Sequence, residues 1–173
     1  MAYRSKTYVA FDGDNDIRYY NLMKAWKQSD YTDFNFYDAH DLNTARDSSK
    51  TESIKRKLAE RMANSKIFVL LLGEKTKYLT RFVKWEVEHA LYLNLPIIVV
   101  NINGKRDEDY ERMPSWLNGQ LCISCSFNAK ILQYSLEHWE SYHYQYKKDR
   151  KKDGKKDGKH YSWKSGVYED LGL

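Results

Sequence analysis

KIFVLLLGEKTKYLTRFVKWEVEHALYLNLPIIVVNI, residues 66–102, decides the fold. It reads as buried strand, loop, helix, buried strand. IFVLLL (67–72) and PIIVV (96–100) are unbroken apolar runs, the pattern of parallel strands covered on both faces. Between them, Thr80 is placed to N-cap a helix running to about Leu93. At 100° per residue, Val83, Val87, Ala90 and Leu91 share one face, with Phe82 and Leu93 on its flank. Glu86 falls inside that apolar sector, whereas Glu88 points nearly opposite. A carboxylate on the buried side of a helix needs a reason, and this makes Glu86 the first candidate functional residue.

Outward from this unit the same alternation recurs. KTYVAFD (6–12) predicts a strand ending in the polar loop Asp12-Gly13-Asp14-Asn15-Asp16. Asp16 suits the N-cap of a helix to about Ser29, with Tyr19, Leu22, Met23 and Trp26 at core spacing. FNFYDA (34–39) predicts a second strand. After the loop from His40 to Lys50, Ser49-Lys50-Thr51-Glu52 has the form of a capping box for a helix lined by Ile54, Leu58 and Met62. Beyond Ile102 come a charged loop (103–113), a helical turn at PSWLNG (114–119) and a fifth strand, LCISCSF (121–127). A long helix from Asn128 to about Lys148 follows, with Ile131, Leu132, Leu136 and Trp139 at core spacing. Five strand–helix alternations predict an α/β fold: a five-stranded parallel sheet with helices on both faces, flavodoxin-like in order 2-1-3-4-5, plus a C-terminal helical extension. The domain is expected over 1–127, with 128–173 (long helix, Lys-rich link, aromatic tail) packed on it or extending from it. Ligands of such sheets bind at the carboxyl ends of the strands. Phe11 to Asp16, His40, Asp41, Gly73 to Thr80 and the start of the Glu86 helix converge there.

The 173 residues suit one domain. No apolar run reaches 18 residues, and the N-terminus lacks a signal-peptide layout, which points to a cytoplasmic protein away from membranes. Two cysteines form no disulfide framework. The formal charge of +5 is concentrated in Lys147–Lys159, KKDRKKDGKKDGK, which has a net +5 by itself and leaves the rest neutral. The fold is therefore no basic nucleic-acid binder. The three interspersed aspartates weaken the segment's field, so a solvated link is the commoner explanation for it.

Asp12, Asp14 and Asp16 resemble an acidic pocket, yet a phospho-receiver needs an acceptor Asp at the end of strand 3, where this chain has Gly73-Glu74. Turn and cap roles account for Asp14 and Asp16, while Asp12 keeps functional weight from its place at the strand end. Cys122-Ile-Ser-Cys125 lies in a strand, where residues three apart point to opposite faces, so structural cysteines are the better reading and no metal site is expected. Dinucleotide-binding, P-loop, zincin and Ser-hydrolase motifs are absent. For Glu86, a structural carboxylate paired with Lys or Arg competes with a cleft carboxylate desolvated by Trp85 and Phe82.

The series TYVAFDGDNDIRYYNLMKAW, NFYDAHDL, IKRKLAERMANSKIFVLLLGEKTKYLTRFVKWEVEHAL and PIIVVNING resembles the TIR-like domains of bacteria and archaea, including the TIR proteins of Thoeris anti-phage defence systems. The most specific pieces are S-K-I-F-V-L-L-L-G-E-K-T and F-V-K-W-E-V, and the resemblance covers about residues 5–103. It implies a flavodoxin-like TIR fold and, in catalytic members, cleavage of the nicotinamide–ribose bond of NAD, a substrate rather than a cofactor. The family's catalytic Glu falls on Glu86. Its substrate-lining positions fall on Phe11, Asp12 and Gly13, on His40 and Asp41, and on Trp85 beside the Glu. Phe82 replaces a commoner Trp, and Asp12 stands where many TIR domains have Ser.

The resemblance further implies an ADP-ribose-type product, cyclic in some members, a downstream effector that senses it, and self-association through TIR surfaces. Two alternatives stand beside the enzyme: a non-catalytic TIR-like interaction module in signalling and, more distantly, a nucleoside deoxyribosyltransferase. Retention of Glu86 beside an aromatic favours the enzyme.

Overall fold

The computed structural model describes residues 6–28, 36–37, 51–152 and 158–173. Six strands form one parallel sheet: β1 Lys6–Ala10, β2 Phe36–Tyr37, β3 Ser65–Leu72, β4 Ile97–Asn101, β5 Cys122–Ser126 and β6 His160–Ser162, in the order β2-β1-β3-β4-β5-β6. The five strands expected from the sequence are all present in the order 2-1-3-4-5. The sixth had no signal of its own, since three residues, HYS, are too short and too polar to form an apolar run.

The described residues also form five α-helices: α1 Ile17–Gln28, α2 Thr51–Ala63, α3 Val83–Tyr92, α4 Ala129–Lys152 and α5 Ser165–Asp170. Alternation along β3 separates two cores. Phe68, Leu70 and Leu72 join Ile54, Leu58 and Met62 of α2 and Val83, Val87 and Ala90 of α3. Ile67, Val69 and Leu71 join Tyr20 and Met23 of α1, Ile131, Leu132, Leu136 and Trp139 of α4, and Tyr168 of α5. The sheet thus carries α2 and α3 on one face and α1, α4 and α5 on the other. Because α4 connects β5 to the parallel strand β6, the C-terminal segment extends the sheet as well as covering it.

Several local expectations shift. Thr80 does not cap α3: residues 80–82 form a turn, and the helix begins at Val83 without a side-chain cap. The reason is a short 3-10 turn, Thr76–Tyr78, that delays helix entry. The end of α3 is well defined, with Asn94 at φ 55°, its N–H bonded to Leu91 O and Leu95 N–H bonded to Ala90 O, before Pro96. This pairing satisfies the last carbonyls of the helix with a left-handed residue. In α1, Leu22 is exposed and Tyr20 takes the inward place. The helix α4 continues to Lys152, past the expected end at Lys148, supported one turn earlier by Gln145 Nε2 donating to both carboxylate oxygens of Asp149. The Ser49-Lys50 half of the expected capping box lies outside the described residues. Among the described residues no helix is long and apolar enough to cross a membrane.

Candidate functional site

Glu86 occupies the first turn of α3, where the chain re-enters the fold from the carboxyl end of β3. Its side chain is 1% exposed. Tyr8, inward-facing on β1, donates its hydroxyl proton to Glu86 Oε2 at 2.6 Å. The Tyr8 ring stacks on Phe68 of β3, at 5.5 Å between centroids and 11° between planes. Burial raises the Glu86 carboxyl to about 7, and the Tyr8 hydrogen bond partly offsets that rise. The Tyr8 phenol is itself pushed well above its usual range, first by burial and then by the Glu86 charge; the charge of Arg61 on α2 opposes this. Arg61 Nη1 is buried without a hydrogen-bond partner among the described residues. The ion pair expected of a structural buried carboxylate is absent: among the described residues Glu86 is held by a neutral hydroxyl.

The loop after β3 explains G-E-K-T. Thr76 is fully buried, and its hydroxyl accepts the Gly73 N–H at 2.9 Å, folding the loop tightly back on the strand end. Gly73 is required by what lies above it. A Cβ there would meet Asp16 Oδ2 at 2.0 Å and Asp16 Cγ at 2.7 Å. Asp16 is thus more than a helix-start residue. It is 6% exposed, its Oδ2 has no hydrogen-bond partner among the described residues, and its carboxyl is raised to about 6 by burial and then by the nearby Asp12 charge, against the opposing charges of Arg112 and Arg18.

The predicted site residues divide between the two faces of the sheet and the strand ends. Asp12 is 2% exposed and holds its own turn: Oδ1 accepts the N–H groups of Asp14 and Asn15 at 3.0 and 3.3 Å, and Oδ2 accepts Asn15 Nδ2 at 2.6 Å. Gly13 sits half-buried in that turn. Phe11 stacks on Tyr20 at 4.6 Å in the α1/α4 core, on the opposite side of the sheet from Glu86. Trp85 is half-buried on α3, stacked on His89 at 5.2 Å with Lys55 Nζ over its ring at 5.5 Å. His40 and Asp41 lie outside the described residues. Cys122 and Cys125 are free, buried and on opposite faces, and burial raises both thiols to about 12.

One residue of this region, Tyr8, escaped sequence reasoning. The inward parity of Tyr8 with Ala10 was available from the alternation of β1, but nothing local pairs it with a residue 78 positions away. The approach of Asp16 to Gly73 agrees with the expected convergence of the loops after β1 and β3, which are neighbours in the sheet.

Residues 8–107 match the family model described as Thoeris protein ThsB, TIR-like domain. No curated protein matches the chain. The match spans β1 through the start of the loop after β4, and so includes Tyr8, Asp16, Gly73 and Glu86. The chain therefore belongs to the TIR-like family of Thoeris ThsB proteins, a family of anti-phage defence.

Proposed function

We propose that this protein is an NAD-cleaving enzyme in which Glu86 is the catalytic carboxylate, breaking the nicotinamide–ribose bond to release nicotinamide and an ADP-ribose-type nucleotide. The observation that carries the reading is a buried carboxylate whose described partner is a hydroxyl and not a cation. A charge held this way keeps its field for a cation that forms during reaction, and that field is strongest where water is excluded. As the C1′–N bond breaks, its electron pair leaves with nicotinamide and positive charge develops on the ribose. Glu86 stabilises that charge. Tyr8 fixes the carboxylate's orientation, and its hydrogen bond favours the ionised form. Water, or a nucleophile elsewhere in the same molecule, then captures the ribosyl cation and loses a proton, the latter route closing a cyclic product. A downstream effector would sense that nucleotide, and self-association through TIR surfaces would complete the site.

The test is incubation of the purified protein with NAD over a range of protein concentrations, with chromatography and mass spectrometry of the products, beside Glu86→Gln. Nicotinamide release by the wild type and a loss of at least about a hundredfold in the variant are expected. Equal release by both would remove Glu86 from the chemistry. The same burial leaves the carboxylate 1% exposed in this conformation, which favours a non-catalytic interaction module as the second reading. Absence of release at every concentration, and in lysate of infected cells, would establish that reading instead.

A further inference from the structure

The C-terminal third contains a groove that neither the matched family region nor the Glu86 site accounts for. Residues of β5, α4, β6 and α5 line a solvent-open groove of about 380 Å³ on the α1/α4 face of the sheet, the side away from Glu86. Its walls carry six aromatic rings: Tyr134, Trp139, Tyr142, Tyr146, Tyr161 and Trp163. Tyr146 and Tyr161 lie parallel at 4.4 Å and 3°. Trp163 meets Tyr134 and Tyr142 edge-on, at 5.0 and 5.9 Å.

The plain explanation is an aromatic cluster that docks the tail, and the size of the groove it leaves open goes beyond that. At about 380 Å³ the groove lies in the range of small-ligand pockets, about 300–1,000 Å³. Buried indole N–H groups find acceptors. Trp163 follows that rule, donating to Ser135 Oγ at 2.8 Å. Trp139 does not: it is 1% exposed, and its Nε1 has no partner among the described residues. That Nε1 is buried behind the wall and is not presented to a guest.

Charge selects the guest. Aromatic boxes also take quaternary ammonium groups, but among the described residues no carboxylate lines this one, Lys164 does, and Lys159 Nζ already lies over the Tyr161 ring at 5.2 Å. The last turn of α4, one turn beyond Tyr146, carries Arg150, Lys151 and Lys152. A flat aromatic guest with an attached anion fits aromatic walls flanked by Lys164 and Lys159. We propose that this groove is a nucleotide-binding site, with the base stacked in the aromatic box and its phosphate against Lys164 and Lys159. The proposal is independent of the reaction assigned to Glu86, and it gives the aromatic tail and its two flanking lysines, Lys159 and Lys164, a shared purpose.

The test uses full-length Glu86→Gln protein, so that no turnover intrudes, titrated with AMP and ATP and followed by tryptophan fluorescence and amide NMR shifts. Tyr142→Ala and Lys164→Glu are made in that background. Both residues are exposed enough for the fold to persist, which circular dichroism would verify. Saturable binding is expected, weakened about tenfold by Tyr142→Ala through lost stacking. Lys164→Glu should weaken ATP more than AMP, and added salt should reduce the difference. Absence of saturable binding would overturn the proposal, as would binding indifferent to both variants. Preference for tetramethylammonium over nucleotides would reassign the box to cations. Binding of an oligothymidylate without binding of either mononucleotide would make it a single-strand contact and equally refute the proposal.

Discussion

Tyr8 and Glu86, 78 residues apart, meet in a 2.6 Å hydrogen bond between the middle of β1 and the first turn of α3. The bond joins two elements that flank the β1–β3 switch point. It also sets the conditions under which Glu86 is charged, because the phenol is the one described group that favours the carboxylate over the acid.

Glu86 should make the protein less stable as pH rises. Its folded carboxyl titrates at about 7 against an ordinary 4.5, so the folded state binds the proton more tightly than the unfolded chain does. Stability is therefore highest below about 4.5, falls as pH rises through 7, and stays reduced above it. Glu86→Gln keeps the shape and a hydrogen-bonding oxygen for Tyr8 while removing the charge. Thermal melts across pH should show the variant about 2–3 kcal/mol more stable at pH 8, with the advantage gone below pH 4.5. A constant difference across that range would contradict the assignment.

Tyr8→Phe removes the donor and leaves a buried carboxylate unsatisfied. A loss of about 1–3 kcal/mol at pH 8 is expected, shrinking towards pH 5 as Glu86 takes a proton. Carbon-13 NMR of the Glu86 carboxyl should place its titration above the wild-type value. If NAD cleavage occurs, the rising limb of its pH profile should move the same way.

Gly73→Ala drives a methyl group into the Asp16 carboxylate. A cost of about 1–3 kcal/mol in urea unfolding is expected, because Asp16 is buried and cannot swing clear without losing its place. In an Asp16→Ala background the same substitution should cost under about half as much, and that coupling is the diagnostic. Simple additivity would mean that the two residues do not touch.

Tyr168 of α5 is 1% exposed, its hydroxyl accepts the Ser126 N–H at 3.2 Å, and Arg106 lies over its ring at 4.4 Å. The tail is thus bound into the core beside β5. Tyr168→Ala should cost about 3–5 kcal/mol by denaturant melt. A change below 1 kcal/mol would mean that the tail is merely appended.

Cys122 and Cys125, buried with thiols raised to about 12, should resist thiol reagents in the native protein and react only in denaturant. Rapid labelling by a chromogenic disulfide under native conditions would show that β5 opens readily.

The order of strands and helices was legible because periodicity records which faces are covered. The runs at 67–72 and 97–100 are apolar on both sides since both faces of the sheet carry helices. Ile54, Leu58 and Met62 share one stripe for the same reason, and the odd position of Glu86 stood out against α3's apolar sector. In α1 the expected Met23, Tyr19 and Trp26 pack on the core, and of that expected set Leu22 alone is exposed. Packing against Phe11 puts Tyr20 in the inward place, a choice that spacing does not make between two large side chains.

The sequence by itself determined the layers, the family and the residue most worth testing, all of which follow from local spacing and motif. Tertiary structure alone decided that Tyr8 holds Glu86, that the Asp16 carboxylate sits against Gly73, that HYS becomes a sixth strand and that six aromatic rings line one groove. Each of these joins elements distant along the chain. Their meeting depends on strand order and side-chain reach across the sheet, which a one-dimensional pattern does not encode.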